Sequence, residues 1–459
     1  MKILTRVVLI VCTLAIALMM TGCGGGGGGS NPFTYFKASN TDTGDEFGRS
    51  VALSDDGTTL AVGADLEASD GVTVPIESNN SVTAAGAVYV FTSVGGWQQQ
   101  AYVKAPSPVL ADHFGFSVAL SADGNTLAVG APQTSVSNGV VYIYTRSGST
   151  WTYKNAVTGG TNSGFGWAVA LSDNGSVLAV GAPFESTSAN SSGALYVFTT
   201  INSWSSVATT DTIKSAGAAS EANAQLGVSI ALNGNGTVLA GGANQISSAG
   251  PGFVKIFIPT GGSGDWATNT GYNEAGITAT DGETDDQFGV SVSLNTAGDI
   301  LAVGAWQEDS NTITDTTNNG AADSGAAYVF VTGDNWVSAP TETYVKASSP
   351  VANDNFGTSV SLNGSGDTLG VGAPFAANTG TAYRIVNSGT WAGGIGSELV
   401  ITPPSGDNGD EFGFSVSLSA TAGRLAIGDK YEDSAATGVN GDKTDNTKPD
   451  SGAAYVRAL

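Results

Sequence analysis

Apolar and polar residues alternate along this chain in short bursts. Ser50-Val51-Ala52-Leu53 runs into the polar turn Ser54-Asp55-Asp56-Gly57, then into Leu60-Ala61-Val62-Gly63-Ala64. Period-two alternation on both sides of a tight glycine-containing turn predicts a β-hairpin. A third strand is predicted over Ala87-Val88-Tyr89-Val90-Phe91, beyond an acidic loop, and a fourth over Ala101-Tyr102-Val103-Lys104, just after Trp97. Four such strands cannot bury both faces of their sheet alone, so the unit must stack on neighbours.

The unit recurs. Phe-Gly, or once Leu-Gly, opens a copy at Phe47, Phe114, Phe165, Leu226, Phe288, Phe356 and Phe412, at intervals of 67, 51, 61, 62, 68 and 56 residues. This period, built of short strands, predicts an all-β, seven-bladed β-propeller of four-stranded antiparallel blades over residues 33–459. The seventh copy stops at Leu459, directly after its third strand. Phe33-Thr34-Tyr35-Phe36-Lys37-Ala38-Ser39 matches the fourth strands at Ala101-Tyr102-Val103-Lys104-Ala105 and Thr343-Tyr344-Val345-Lys346-Ala347-Ser348. The N-terminal strand is therefore expected to complete the last blade and close the ring, removing the free edges of an open array. Trp97, Trp151, Trp204, Trp266, Trp336 and Trp391 follow six of the third strands and are expected to pack between blades or at edges, not to serve as carbohydrate platforms.

The first residues read as a processing signal. Lys2 and Arg6 precede an apolar run from Val7 to Met20, and Met20-Thr21-Gly22-Cys23 reads as a bacterial lipobox. Residues 1–22 are expected to be a lipoprotein signal peptide, Cys23 the lipidated residue, and 23–32 a glycine-rich tether that holds the body near a bilayer. Cys12 leaves with the signal, so the mature domain has no thiol for a disulfide, a metal site or a nucleophile.

The 40 acidic residues against 16 basic ones change the picture of partners. Such a surface repels nucleic acid and anionic lipid and favours cations. Carboxylates collect in two places. The loop between strands two and three holds Asp65, Glu67 and Asp70 in the first unit, Glu308, Asp309, Asp315 and Asp323 in the fifth, and Asp429, Glu432, Asp433, Asp442, Asp445 and Asp450 in the seventh. The link before Phe-Gly holds Asp42, Asp45 and Glu46, then Asp281, Glu283, Asp285 and Asp286, then Asp407, Asp410 and Glu411. In an antiparallel blade both segments emerge at the same end, so the two sets are expected to converge within units one, five and seven. Like charges so placed need a cation or water, which makes calcium the candidate cofactor. The candidate ligands are Asp45, Glu46, Glu67, Asp70, Asp285, Asp286, Glu308, Asp309, Asp410, Glu411, Asp429, Glu432 and Asp433. Simple solubility and a directly bound cationic or glycan ligand are the alternatives.

The run Phe-Gly, Ser-Val-x-Leu-Ser, Leu-Ala-Val-Gly-Ala-Pro, as in Phe114 to Pro132, resembles the FG-GAP repeat of the integrin alpha-chain propeller. More closely, the chain resembles bacterial FG-GAP repeat lipoproteins. In the lipoproteins it resembles, an aspartate after the lipidated cysteine retains the protein in the inner membrane; Gly24 stands there, which favours the outer membrane. Integrin-type repeats bind calcium between strands one and two, but Ser54-Asp55-Asp56-Gly57 and its counterparts have too few oxygens for six to eight ligands. Those segments read as plain hairpin turns.

An enzyme is not expected. His113, the one histidine, occupies a slot filled elsewhere by Glu46, Gln287, Asn355 and Glu411, and no carboxylate pair stands apart from its equivalents. The favoured reading is a surface binding or adhesion module, monomeric and possessing an unknown protein or glycan ligand. The alternative is a scaffold component of an envelope assembly.

Overall fold

The computed structural model describes residues 33–71, 80–132, 138–186, 190–207, 209–213, 222–245, 250–260, 266, 271–312 and 318–459. The signal, Cys23 and the tether lie outside the described residues, as does Asp315. Among the described residues, twenty-eight strands form seven four-stranded antiparallel sheets. The first blade takes Ser50–Leu53, Thr59–Ala64, Ala87–Thr92 and Gln98–Val103 in spatial order, and the next five blades repeat this arrangement. The seventh takes Phe412–Leu418, Arg424–Asp429 and Ala453–Ala458 and is completed by Phe33–Phe36. That strand pairs in register with the last one, Phe33 opposite Arg457 and Phe36 opposite Ala454. The seven-bladed ring and its closure are as the repeat count predicts. In the second blade the third and fourth strands run longer than the alternation suggests, over Asn138–Ser147 and Thr150–Thr161, with register shifts that absorb the extra residues.

Three kinds of stitch hold the ring. First strands touch neighbouring first strands all the way round, so they line the axis. At the hairpin turns beside them, a belt of backbone hydrogen bonds passes from blade to blade: the amide of Asp55 donates to Ala122, Ala122 to Asp173, Asp173 to Gly234, Gly234 to Thr296, Thr296 to Gly364, Gly364 to Ala420, and Ala420 back to Asp55, all at 2.9–3.1 Å. A belt that returns to its starting residue is a direct statement of closure. The serine that opens the first strand adds a side-chain stitch, as where Ser50 Oγ donates to the carbonyl of Gly115 at 2.8 Å and Ser415 Oγ to that of Gly48 at 2.9 Å.

The repeated glycines follow from the same contact. A Cβ on Gly63 would stand 2.0 Å from the Gly115 carbonyl oxygen of the next blade, and one on Gly428 would stand 2.0 Å from that of Gly48. Only glycine permits this approach. Between blades, apolar side chains fill the seams; at the closing seam Phe36, Phe47, Val62 and Phe91 pack with Ala426, Ala454 and Val456. The tryptophans are structural, as expected, and four brace their own blade: Trp204, Trp266, Trp336 and Trp391 are buried and donate their indole N–H to the carbonyls of Gly175, Gly236, Gly298 and Gly366 in the first hairpin turn. Trp97 packs across the seam on Phe36, ring centroids 5.2 Å apart. Among the described residues no helix is long and apolar enough to cross a membrane.

Candidate functional site

The links into the first strands and the loops between strands two and three meet on one face. The amide of Phe47 donates to Ser451, that of Phe114 to Ala85, and that of Phe356 to Ser324, so each link lies along the end of the preceding blade's loop. The aspartate two places before Phe-Gly shapes the link. Asp45, Asp112, Asp286, Asp354 and Asp410 each accept the backbone N–H three residues earlier, at 2.7–3.0 Å. The residue between that aspartate and the phenylalanine is left-handed in four of these links, with φ of 54° at Glu46, 56° at His113, 55° at Gln287 and 55° at Asn355. Its identity varies because backbone geometry, not chemistry, selects it. His113 Nδ1 lies 3.0 Å from Asp65 Oδ2.

The loop glutamates face inward. In the first blade Glu67 Oε2 sits 2.7 Å from Lys104 Nζ, and Oε1 accepts from Asn40 Nδ2 at 2.9 Å, from the Ser69 amide at 3.2 Å and from Tyr102 OH at 3.2 Å. In the seventh, Glu432 pairs with Lys37 at 2.8 Å and accepts from Tyr35 OH at 2.9 Å. In the fifth, Glu308 pairs with Lys346 and accepts from Tyr344 OH at 3.1 Å and from the Ser310 amide at 3.0 Å. All three lysines and all three glutamates are buried. One device thus recurs: tyrosine and lysine two apart in a fourth strand grip a glutamate whose own loop serine stands two residues on. Its signal was present in the sequence, since Tyr-x-Lys ends only those fourth strands whose blades carry Glu-x-Ser.

The two acidic sets do converge in these blades, and an asparagine amide joins them. Asn80 donates to Asp42 at 2.5 Å, Asn319 to Glu283 at 2.6 Å, and Asn446 to Asp407. Asp309 and Asp433 brace the far ends of their loops by accepting the amides of Asp323 at 2.7 Å and Asp450 at 2.9 Å. Glu411 pairs with Lys430 at 3.2 Å, Glu46 lies 3.8 Å from Arg49, and exposed Asp70 accepts from Ser81. Asp285 is exposed at a φ of 76°. Asp429 is different. It stands where the first and fifth blades have Ala64 and Ala305, it is fully buried, and neither of its oxygens has a hydrogen-bond donor.

A shell of six to eight oxygens does not assemble from the loop glutamates, because lysine, tyrosine, serine and backbone donors already occupy them. Among the described residues no group of three or more histidine, cysteine, aspartate or glutamate side chains is gathered to hold a metal ion.

Burial governs the protonation of the capping aspartates. It pushes Asp45 up to about 8, and Asp286 and Asp410 each up to about 7, each partly offset by the backbone N–H it accepts. A carboxyl raised in the fold binds a proton there that the unfolded chain has released, so its contribution to stability is full below about pH 4 and declines as pH rises through 7 to 8. Denaturant unfolding should therefore show these three groups costing about 2 kcal/mol or more in sum between about pH 5 and about pH 8.5. Replacing all three by asparagine, which keeps the cap, should flatten that slope; an unchanged or steeper slope would contradict the burial account.

The FG-GAP repeat family profile matches residues 35–91, 97–144, 156–198 and 272–330, each match running from the fourth strand of one blade through the first three strands of the next, namely the first, second, third and fifth blades. The chain is a seven-bladed propeller carrying FG-GAP repeats. No curated protein matches it. Among solved structures it is similar to hydrazine synthase from Kuenenia stuttgartiensis, with a TM-score of 0.51, 13% identity, and coverage of 84% of this chain and 93% of that one. It is also similar to the Cps50 (Swd1) β-propeller domain from Myceliophteria thermophila, with a TM-score of 0.52, 11% identity, and coverage of 93% and 99%. At such identity the likeness is one of fold alone.

Proposed function

We propose that this chain is a lipid-anchored envelope protein, tethered through Cys23 to the outer membrane, whose propeller is a rigid, non-catalytic scaffold for a protein partner. The observation that carries this reading is the internal bracing of the acidic face. Glu67, Glu308 and Glu432 are committed to lysines, Asp45, Asp286 and Asp410 to turns, and the loops are thereby preshaped before any ligand arrives. A preshaped, broad loop face suits a constitutive partner, because little ordering cost accompanies its docking. Exposed Asp70, Glu283, Asp285, Asp407, Asp442, Asp445 and Asp450 give that face its sign, so the partner's contact surface is basic.

Photo-crosslinking in cells tests the reading. A crosslinker at Asp445 should trap one protein repeatedly, with yield falling as salt rises, whereas one at Ile201, in a loop at the opposite end of the blades and 93% exposed, should not trap it. Equal capture from both positions, or none from Asp445, would remove the scaffold reading.

A calcium-dependent adhesion role is the second reading, and one observation favours it: the unpartnered, buried carboxylate of Asp429 in a blade that also holds Asp410 and Glu432. Titration calorimetry with calcium on residues 30–459 should then show heat that Asp429→Asn abolishes. No calcium-dependent heat in the unaltered protein would eliminate it.

A further inference from the structure

The long loops of the fifth and seventh blades, residues 306–325 and 430–452, flank a sixth blade whose loop spans only 374–380. The low loop leaves a cleft of about 910 Å³ between the link at Val351–Asn355, the loop at Phe375–Asn378, and Asn408 and Gly409 of the next link. We propose that this cleft binds a neutral oligosaccharide.

The first reason is a part-exposed aromatic ring without an aromatic partner among the described residues. Gly-Ala-Pro-Phe occurs at Gly181–Phe184 and again at Gly372–Phe375. In the third blade Phe184 packs edge-on against Trp167 at 5.1 Å. The sixth blade has Thr358 at the position of Trp167, and Phe375 is 44% exposed and makes no aromatic contact among the described residues. Its turn is nonetheless fixed. Ala377 holds the left-handed conformation, φ 55° and ψ 18°, which a side chain disfavours, and Asn378 follows at φ 62°. Hydrogen bonds from the Gly380 amide to Ala376 and from the Gly409 amide to Asn378, both 2.9 Å, hold it there. Left-handed backbone of this kind clusters at ligand sites, and here it holds a part-exposed ring at the cleft.

The second reason is the chemistry around the ring. Asn353, Asn378 and Asn408 line the cleft with exposed amides that have no side-chain hydrogen bond among the described residues. Each amide offers both a donor and an acceptor, the complement of neighbouring hydroxyls on a sugar. The one ionisable residue lining the cleft, Asp354, is buried and committed to the Val351 amide at 3.0 Å. On a chain of net charge −24, a cleft that pairs an aromatic platform with amides, and whose lining carboxyl is buried, favours a neutral ligand. A pyranose presents an apolar C–H face to a ring and hydroxyls at its rim, and the volume falls within the usual range for small-molecule clefts, about 300–1,000 Å³.

Saturation-transfer NMR on residues 30–459, using maltotriose, cellotriose and chitotriose as neutral probes and sialyllactose as an acidic one, tests this. At least one neutral probe should bind, Phe375→Ala and Asn378→Ala should each weaken it about tenfold, and sialyllactose should give no transfer. Ile201→Ala, remote from the cleft, should bind as the unaltered protein does. Absence of transfer from all three neutral probes, or undiminished binding by Phe375→Ala in a protein that melts normally, would overturn the proposal. Either outcome is independent of the crosslinking at Asp445, which probes the acidic loops.

Discussion

Deleting residues 33–39 is expected to abolish cooperative folding of the whole propeller. The segment supplies the fourth strand of the last blade, so its loss strips the final strand, Ala453–Ala458, of its outer partner and exposes a free edge. It also removes Phe36, fully buried against Phe91 at 5.0 Å and Trp97 at 5.2 Å in the first blade, which alone is worth about 3–5 kcal/mol. Lys37 goes with it, and Glu432 is left buried without its counter-charge, a further cost of about 3–5 kcal/mol. Together these rival the entire stability of an ordinary domain, about 5–15 kcal/mol. Calorimetry should lose the sharp transition expected of residues 30–459, and size-exclusion chromatography should show aggregates formed through the bared edge. Retention of the parent melting temperature and a monomeric peak would show that the strand is not part of the ring.

The second large effect is expected at the buried ion pairs. Glu67→Ala strands the Lys104 ammonium, whose side chain is 0% exposed, and takes the acceptor from Asn40, Ser69 and Tyr102 at once. Removing one member of a buried pair costs about 3–5 kcal/mol. Replacing both partners by apolar residues of similar volume, Glu67→Leu with Lys104→Met, should recover much of that loss, because neither desolvated charge then survives. Denaturation of Glu67→Leu, Lys104→Met and the double variant closes the cycle. A Glu67→Ala loss below about 1 kcal/mol, with additive effects in the double variant, would mean the pair is solvated and the loop is not braced as described.

How much of this was legible follows from what each residue's role depends on. The ring was legible because it rests on periodicity: Phe-Gly recurs seven times, and the sequence around Tyr35 and Lys37 copies that around Tyr102 and Lys104. The reading of Ser54–Gly57 as a hairpin turn held too, since it joins the first two strands and Asp56 accepts from Ser54 at 2.7 Å and from Thr58 at 2.8 Å within the turn. What composition hides is direction. Glu67 and Asp70 are three residues apart in one acidic loop, yet one is buried on a lysine and the other is exposed. Charge crowding suggests a cation wherever acids accumulate, whereas in three blades the cation is a lysine supplied by the fourth strand. The pairing would have emerged from comparing the copies with each other, because Lys104, Lys346 and Lys37 occur with Glu67, Glu308 and Glu432, while the second, fourth and sixth blades have Val157-Thr158, Ile277-Thr278 and Ile401-Thr402 at the position of Val103-Lys104, without either partner. Asp429 was marked as a candidate, and it breaks the alanine shared by Ala64 and Ala305, but its complete burial was not legible because that environment exists only once the ring has closed. Phe375 was silent: its phrase is shared with Phe184, and only the difference between Trp167 and Thr358 separates a packed ring from a bare one.

The most direct test of the closed ring is a disulfide across its seam. Thr34 and Val456 face each other in adjacent strands, and residues 30–459 contain no cysteine of their own. With Thr34→Cys and Val456→Cys introduced, mild oxidation should consume both thiols within one chain, with the intact mass falling by two hydrogens and no covalent dimer formed. Thiols that stay free in the folded protein, or that couple only between chains, would contradict circular closure.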